Sequence, residues 1–248
     1  MVPEPLPLVD VKVSDIQSIA KIIVVPEVLA AVIQQFPFKK TVGTILISYP
    51  DQHKESSSQQ NQEFDEDEQL YGAMNYKQKY PTTEIPIQEL VPGTLAIVVP
   101  HFSHIIVNNV LAQQLTNTLS TSIWITLAPC ALENLISCSK LSLNLASYDG
   151  GLPKTVALIP NLGPPHCFTG ISAAINSLVT ECPLISIALN AEGQPGFEKV
   201  TNSIQLEAAK IIGSFAYDDN ENLQAHYAKN LSTRLRKLMA NDDYGMYL

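Results

Sequence analysis

Five short runs in which nearly every residue is apolar constrain the fold of this chain more than any other feature. Thr44 to Ser48 (TILIS) and Thr94 to Val99 (TLAIVV) each end close to a proline, and Ile123 to Leu127, Thr155 to Ile159 and Leu184 to Leu189 have the same character. A strand with one wet face alternates apolar and polar residues, whereas an uninterrupted apolar run signals a strand covered on both faces. Between the runs the period changes. Ser103 to Leu119 sets Ile106, Val107, Val110, Leu111, Leu115 and Leu119 on one helical stripe, and Thr169 to Val179 has a similar face. From Glu198 onward, Val200, Ile204, Ala208, Ile211, Ile212 and Phe215 recur three or four residues apart, which predicts a long amphipathic helix broken at Asp218 to Asn222. A final helix is expected over about Glu221 to Ala240, with Leu223, Tyr227, Leu231, Leu235 and Leu238 inward and Asn241 with two aspartates ending it. Its Lys229, Arg234, Arg236 and Lys237 complement the helix dipole on a solvated face. The alternation predicts an α/β fold: a single-domain three-layer α/β/α sandwich with a mostly parallel central sheet.

One segment interrupts this order. Asp51 to Gln69 is polar and of low complexity, and its seven acids against Lys54 hold six of the nine net negative charges of the whole chain. Such a stretch buries too little apolar surface to offset its ordering entropy, so a disordered insertion is expected at about 51–69. The expected organisation is an N-terminal extension over 1–40 packing on the domain or a partner, an α/β domain over 41–240, and a C-terminal tail over 241–248. At 248 residues and 46% hydrophobic composition the chain can fill a sizeable core.

Several functional classes lose support. The longest apolar runs, such as Leu95 to Val99 and Ile22 to Val25, fall far short of the roughly 20 residues a membrane helix needs. The first residues, MVPEPLPLVDVK, lack the basic start and apolar stretch of a secretory signal, so an intracellular protein is expected. With a net charge of only −3 outside the insertion and no basic stripe, no nucleic-acid partner is expected. Cys130, Cys138, Cys167 and Cys182 have neither zinc nor disulfide-framework spacing and read as buried, reduced thiols. GxGxxG, GxxxxGK[ST] and GxSxG are all missing, and Ser172 reads as a small packing residue. His101 and His104 form an HxxH pair with no accompanying glutamate base, so no metal or other cofactor is expected. His166 sits in GPPHC after an expected strand end, without an identifiable catalytic partner. Glu192 to Lys199 (EGQPGFEK) is either a binding loop or a strand-to-helix turn whose glycines relieve strain.

Taken together, EGQPGFEK after a buried strand, GPPHCFTGISAAINSL, and HFSHIIVNNVLAQQL followed by SIWITLAP resemble the first subunit of the heterodimeric chaperone that assembles the proteasome core particle. The resemblance runs from about Thr41 onward and extends to the terminal hydrophobic-tyrosine-any (HbYX) triplet, here Met246, Tyr247 and Leu248. It implies an α/β/α protein without enzymatic activity that pairs with a related second subunit. That dimer would cover the outer face of the α-subunit ring of the immature core particle and insert its tails into inter-subunit pockets, blocking premature activator binding. The implied compartment is the cytoplasm, with the nucleus as a second.

The tail chemistry suits that role. Tyr247 offers a flat apolar ring with a hydroxyl, Met246 an adaptable apolar side chain, and Gly245 freedom to turn into a slot. The free carboxylate of Leu248 is available for a charge-assisted bond to a pocket lysine that the resemblance suggests. Tyr244 adjoins the triplet and either touches the ring or packs on its own helix. Three other readings stay open: a hydrophobic cap in which Tyr244, Met246 and Tyr247 fold back, the other subunit of the same pair, and a small-molecule α/β enzyme of phosphorylase or hydrolase type using the loops Gly163 to Phe168 and Glu192 to Phe197.

Overall fold

The central strand of the sheet comes from the first thirty residues of the chain. In this computed structural model, which describes residues 6–14, 18–49, 80–104, 106–132, 136–194, 197–218 and 220–245, with side chains of the last helix to 237, the elements follow in order. They are β1 (Leu8–Val13), β2 (Lys21–Pro26), α1 (Ala30–Gln34), β3 (Lys40–Ser48), β4 (Thr83–Val91), β5 (Thr94–Val99), α2 (Val107–Thr118) and β6 (Ile123–Cys130). There follow β7 (Cys138–Leu143), α3 (Lys154–Ala157), α4 (Gly170–Leu178), β8 (Leu184–Asn190), α5 (Asn202–Ala216) and α6 (Glu221–Gly245). Eight strands among the described residues form one sheet in the order β1-β3-β4-β5-β2-β6-β8-β7.

Strand β2 pairs parallel with β5 on one side and β6 on the other. Its Ile22, Ile23, Val24 and Val25 are all fully buried, and successive side chains enter opposite cores. Ile22 and Val24 join Leu111 and Leu115 of α2 and Ile175 of α4. Ile23 and Val25 join Ile33 of α1, Ile211 and Phe215 of α5 and Tyr227 of α6. The three expected α/β/α layers are present.

Four expectations need correction. The 1–40 segment is no extension: β1 pairs with β3 at one edge, and β2 lies inside the sheet. The sheet is mixed, not mostly parallel, because only β2/β5, β2/β6 and β6/β8 are parallel among the described pairs. The cause is local for β4/β5: only Pro92 and Gly93 separate them, and so short a link joins antiparallel neighbours alone. Gly93 takes a positive φ of 78° there, which glycine adopts without steric cost.

Thr155 to Ile159 is not a strand. Pro153 precedes the single turn α3, and Val156 and Ile159 point into the core beside α5. Lys140 of β7, itself buried, donates from Nζ to the carbonyls of Val156 and Ala157 at 2.8 Å, satisfying the end of that turn. Burial lowers the Lys140 pKa. Finally, α6 continues through 241–245 instead of stopping after Ala240. Asn, Asp and Gly each disfavour a helix by at most about 1 kcal/mol relative to Ala, and a helix already nucleated and docked propagates through them. The acidic insertion lies outside the described residues.

Helix α6 is held to the body by a specific contact. Tyr227 is 1% exposed, and its hydroxyl donates to the Val32 carbonyl of α1 at 2.6 Å. Its ring lies 4.3 Å from that of Phe36 between centroids. Gly213 of α5 makes room for it, since a Cβ there would lie 3.2 Å from the Tyr227 ring. Leu231 and Leu235 continue the buried stripe, whereas Leu223, expected inward, is exposed. The Asn220 side chain caps the first turn by accepting from the Leu223 amide at 3.2 Å. Lys21, at the start of β2, donates to the Phe215 carbonyl at the end of α5 at 2.7 Å and pairs with Asp218.

The cysteines are free, and only two of them are buried as expected: Cys130 and Cys138, whereas Cys182 is partly exposed and Cys167 exposed. Burial raises the thiols of Cys130 and Cys138. In native protein, an aromatic disulfide reagent is therefore expected to label Cys167 first and to reach Cys130 and Cys138 only on unfolding, as peptide mapping of time points would show.

Burial raises the Tyr227 phenol well above its ordinary value, and the neighbouring Tyr217 adds to the shift. Unfolding returns it to about 10, so its contribution to stability is complete below about pH 10 and is lost as pH rises through the folded value. Tyr227→Phe is expected to cost about 1 kcal/mol near neutral pH by removing the bond to Val32, and to flatten the alkaline decline in stability. Urea melts of both proteins between about pH 8 and 11 measure the two effects.

Candidate functional site

Of the residues expected to bind a partner, Met246, Tyr247 and Leu248 lie outside the described residues. Gly245 is the last residue of α6 and Tyr244 is in its final turn, so the triplet follows a helix directly, without the expected spacer. From the buried Leu235 to Gly245 the helix extends about 15 Å at 1.5 Å per residue. The triplet thus follows a helix that Tyr227 and Leu231 pack into the core.

A second feature lies at the carboxyl ends of the parallel strands. A cleft of about 640 Å³ opens where β2 ends at Pro26, β5 at Val99 and β6 at Leu127 to Pro129, with the first turn of α4 as another wall. Crevices at this position are where open α/β sheets usually bind ligands. Prolines 26, 100 and 129 mark the strand ends, and all three line the cleft. Glu27, His101, Ser103, Asn108 and Glu198 contribute its polar groups.

The EGQPGFEK segment contributes Glu198 to the lining. The backbones of Glu192 and Lys199 exchange hydrogen bonds of 3.2 and 2.7 Å, which makes the loop a small hairpin before α5. Gly193 has φ 117°, and a Cβ on it would sit 2.9 Å from the Phe197 carbonyl oxygen. Only glycine fits that turn. It holds Phe197 outward, 74% exposed, with its ring centroid 5.2 Å from that of His101.

The histidines expected as a pair face different neighbours. His104 is buried against the rings of Tyr80 and Tyr49, at 4.8 and 5.7 Å between centroids, while His101 is exposed beside Phe197. Among the described residues no group of three or more His, Cys, Asp or Glu side chains is placed to hold a metal ion. His166 is part-exposed in the 163–166 turn, where its amide donates to the Gly163 carbonyl at 3.3 Å. Ser172 is buried and donates to the Leu127 carbonyl at 3.1 Å, tying α4 to β6. Beneath the same helix, Thr126 donates to Ser186 at 2.7 Å, and Ser186 in turn donates to Asn176. These hydroxyls hold the layers together.

Sequence reasoning named the 192–199 loop but missed Glu27, Phe102 and Asn108 as cleft residues. The available signal was the recurrence of proline directly after β-branched runs, which locates strand ends and so the rim they share.

The fold compares with solved structures. It is similar to the crystal structure of Pyrococcus furiosus PbaA, an archaeal homolog of proteasome-assembly chaperone, with TM-score 0.55 and 9% identity over 96% of this chain and 100% of that one. The monoclinic form of PbaA gives TM-score 0.54 and 10% identity over 97% of this chain and 99% of that one. Identity this low speaks to the fold alone. No curated protein matches the chain significantly. The model of the POC1 chaperone family, in contrast, matches residues 1–248, and with that match over its full length this chain belongs to the POC1 chaperone family.

Proposed function

We propose that this chain is a non-enzymatic chaperone of proteasome core-particle assembly that works as the first subunit of a heterodimer with a related second subunit. The observation that carries the reading is the family match over 1–248, with the fold it shares with an archaeal proteasome-assembly chaperone homolog as support. In this reading the pair sits on the outer face of the α-subunit ring of immature core particles, in the cytoplasm and nucleus. Met246, Tyr247 and Leu248 enter a pocket between two α subunits and exclude activators that use the same pocket.

The physics sets the strength of such an anchor. Burying a Met-sized side chain contributes about 1.5 to 3 kcal/mol, and a three-residue ligand loses much of its total to ordering and association costs. Helix α6 running to Gly245 reduces the ordering cost, because the residues before the triplet are already fixed. The folded body and the partner's tail then raise the effective concentration of this one. Leu248 contributes through its terminal carboxylate, and Tyr244, one helical step before Gly245, borders the pocket.

Deleting Met246 to Leu248 is expected to reduce co-purification of α subunits and core-particle precursors by at least about tenfold while leaving the second chaperone subunit bound. Adding one alanine after Leu248 displaces the carboxylate and is expected to cost about 1.5 to 3 kcal/mol of the same interaction. Quantitative mass spectrometry of affinity-purified complexes reads both. Undiminished precursor binding by the truncated chain overturns the anchor role, and absence of proteasome subunits from the full-length complex overturns the chaperone reading itself.

A further inference from the structure

We propose that the cleft at the carboxyl ends of β2, β5 and β6 receives an arginine side chain presented by a partner polypeptide. Among the described residues the charged groups lining it have one sign: Glu27 and Glu198 are there, and no lysine or arginine is. Among the described residues neither carboxylate has an ion-pair or hydrogen-bond partner, although Glu198 is already half-buried. An apolar occupant would complete the removal of water from Glu198 with nothing to replace it, and an anionic occupant would add repulsion. A cation reverses both penalties.

The remaining lining selects the kind of cation. The floor is apolar and closely packed, from Val99, Leu127, Ala128 and Ile171, which suits an aliphatic stem laid along it with its charge held toward the rim. His101 of the lining adjoins the ring of Phe197 beside the cleft, and an aromatic face favours a planar guanidinium that can stack while donating to a carboxylate. Guanidinium is also more weakly hydrated than ammonium and pairs with carboxylates through a fork of two N–H groups.

Phe197 argues for a polypeptide over free arginine. It is 74% exposed, so most of its surface lies beyond what a single side chain in the cleft would cover. A main chain passing over the rim would cover it. The hairpin built on Gly193 holds the ring in this position before any ligand arrives. The proposal does not rest on the C-terminal triplet, and its test does not depend on the proteasome.

The experiment titrates the isotope-labelled full-length chain with an acetylated, amidated pentapeptide carrying one central arginine, and with its citrulline counterpart, following backbone amides by NMR. Saturable shifts are expected at Gly170, Ile171, Phe197 and Glu198, with the citrulline peptide at least about tenfold weaker. The double variant Glu27→Gln and Glu198→Gln is expected to lose a similar factor, and Phe197→Ala to bring the peptide down to the affinity of free arginine amide. Both variants alter exposed or part-exposed side chains, and their unperturbed spectra elsewhere would show that the fold is kept. Equal binding of the arginine and citrulline peptides, shifts confined to other surfaces, or full affinity in the double glutamine variant would overturn the proposal.

Discussion

Everything in this molecule is arranged around the parallel pairing of β2 with both β5 and β6. A strand with parallel neighbours on each side has no wet face and no free edge, so each of its side chains must be matched by a layer above or below. Ile22 and Val24 face α2 and α4, and Ile23 and Val25 face α1, α5 and α6. The same pairing aligns three carboxyl ends, at Pro26, Val99 and Pro129, and a crevice between those ends follows from the geometry of the sheet. The cleft is thus a by-product of how the core is built, and its character is set by the few side chains that happen to follow each strand.

The docking of α6 turns on one buried hydroxyl. A phenol removed from water without a partner would cost more than its ring gains at the margin, and the Val32 carbonyl supplies that partner. This bond ties a helix near residue 227 to a short helix near residue 32, so the first and last parts of the chain close against each other over the core. Gly213 gives the ring its space. The docking of α6, which runs to Gly245, is specified by shape and by a directional bond.

How far the sequence could reveal this follows from the kind of signal each element carries. TLAIVV and LISIAL were readable because strands buried on both faces leave no polar interruption, and their observed bounds agree closely with β5 and β8. Helices α2, α4 and α5 were readable from their stripes. Ile22 to Val25 carries the same apolar signal within the segment expected as an extension, and only its non-local partners β5 and β6 make it central. TVALI was misread because a short apolar run has no periodicity, and the lysine that caps the resulting turn comes from β7, a strand whose own CSKLSL reads as polar. In the site, the 192–199 loop was legible through its glycines, whereas Glu27 and Asn108 come to the cleft only by tertiary placement.

The distribution of polar groups separates the two things this fold is able to do. Hydroxyls under α4 are engaged with one another or with backbone: Ser172 with Leu127, Thr126 with Ser186, Ser186 with Asn176. A serine locked to a strand carbonyl lacks the base that an activated nucleophile requires, and the histidine nearest the cleft, His101, lies against Phe197. The carboxylates at the rim stand in the opposite condition, with no partner among the described residues and water on one side. Groups engaged in this way stabilise the layers, and the two carboxylates take no part in that work. The polar groups beneath α4 are thus committed to joining the layers, while Glu27 and Glu198 at the cleft keep their charge available to a cationic occupant of the proposed kind.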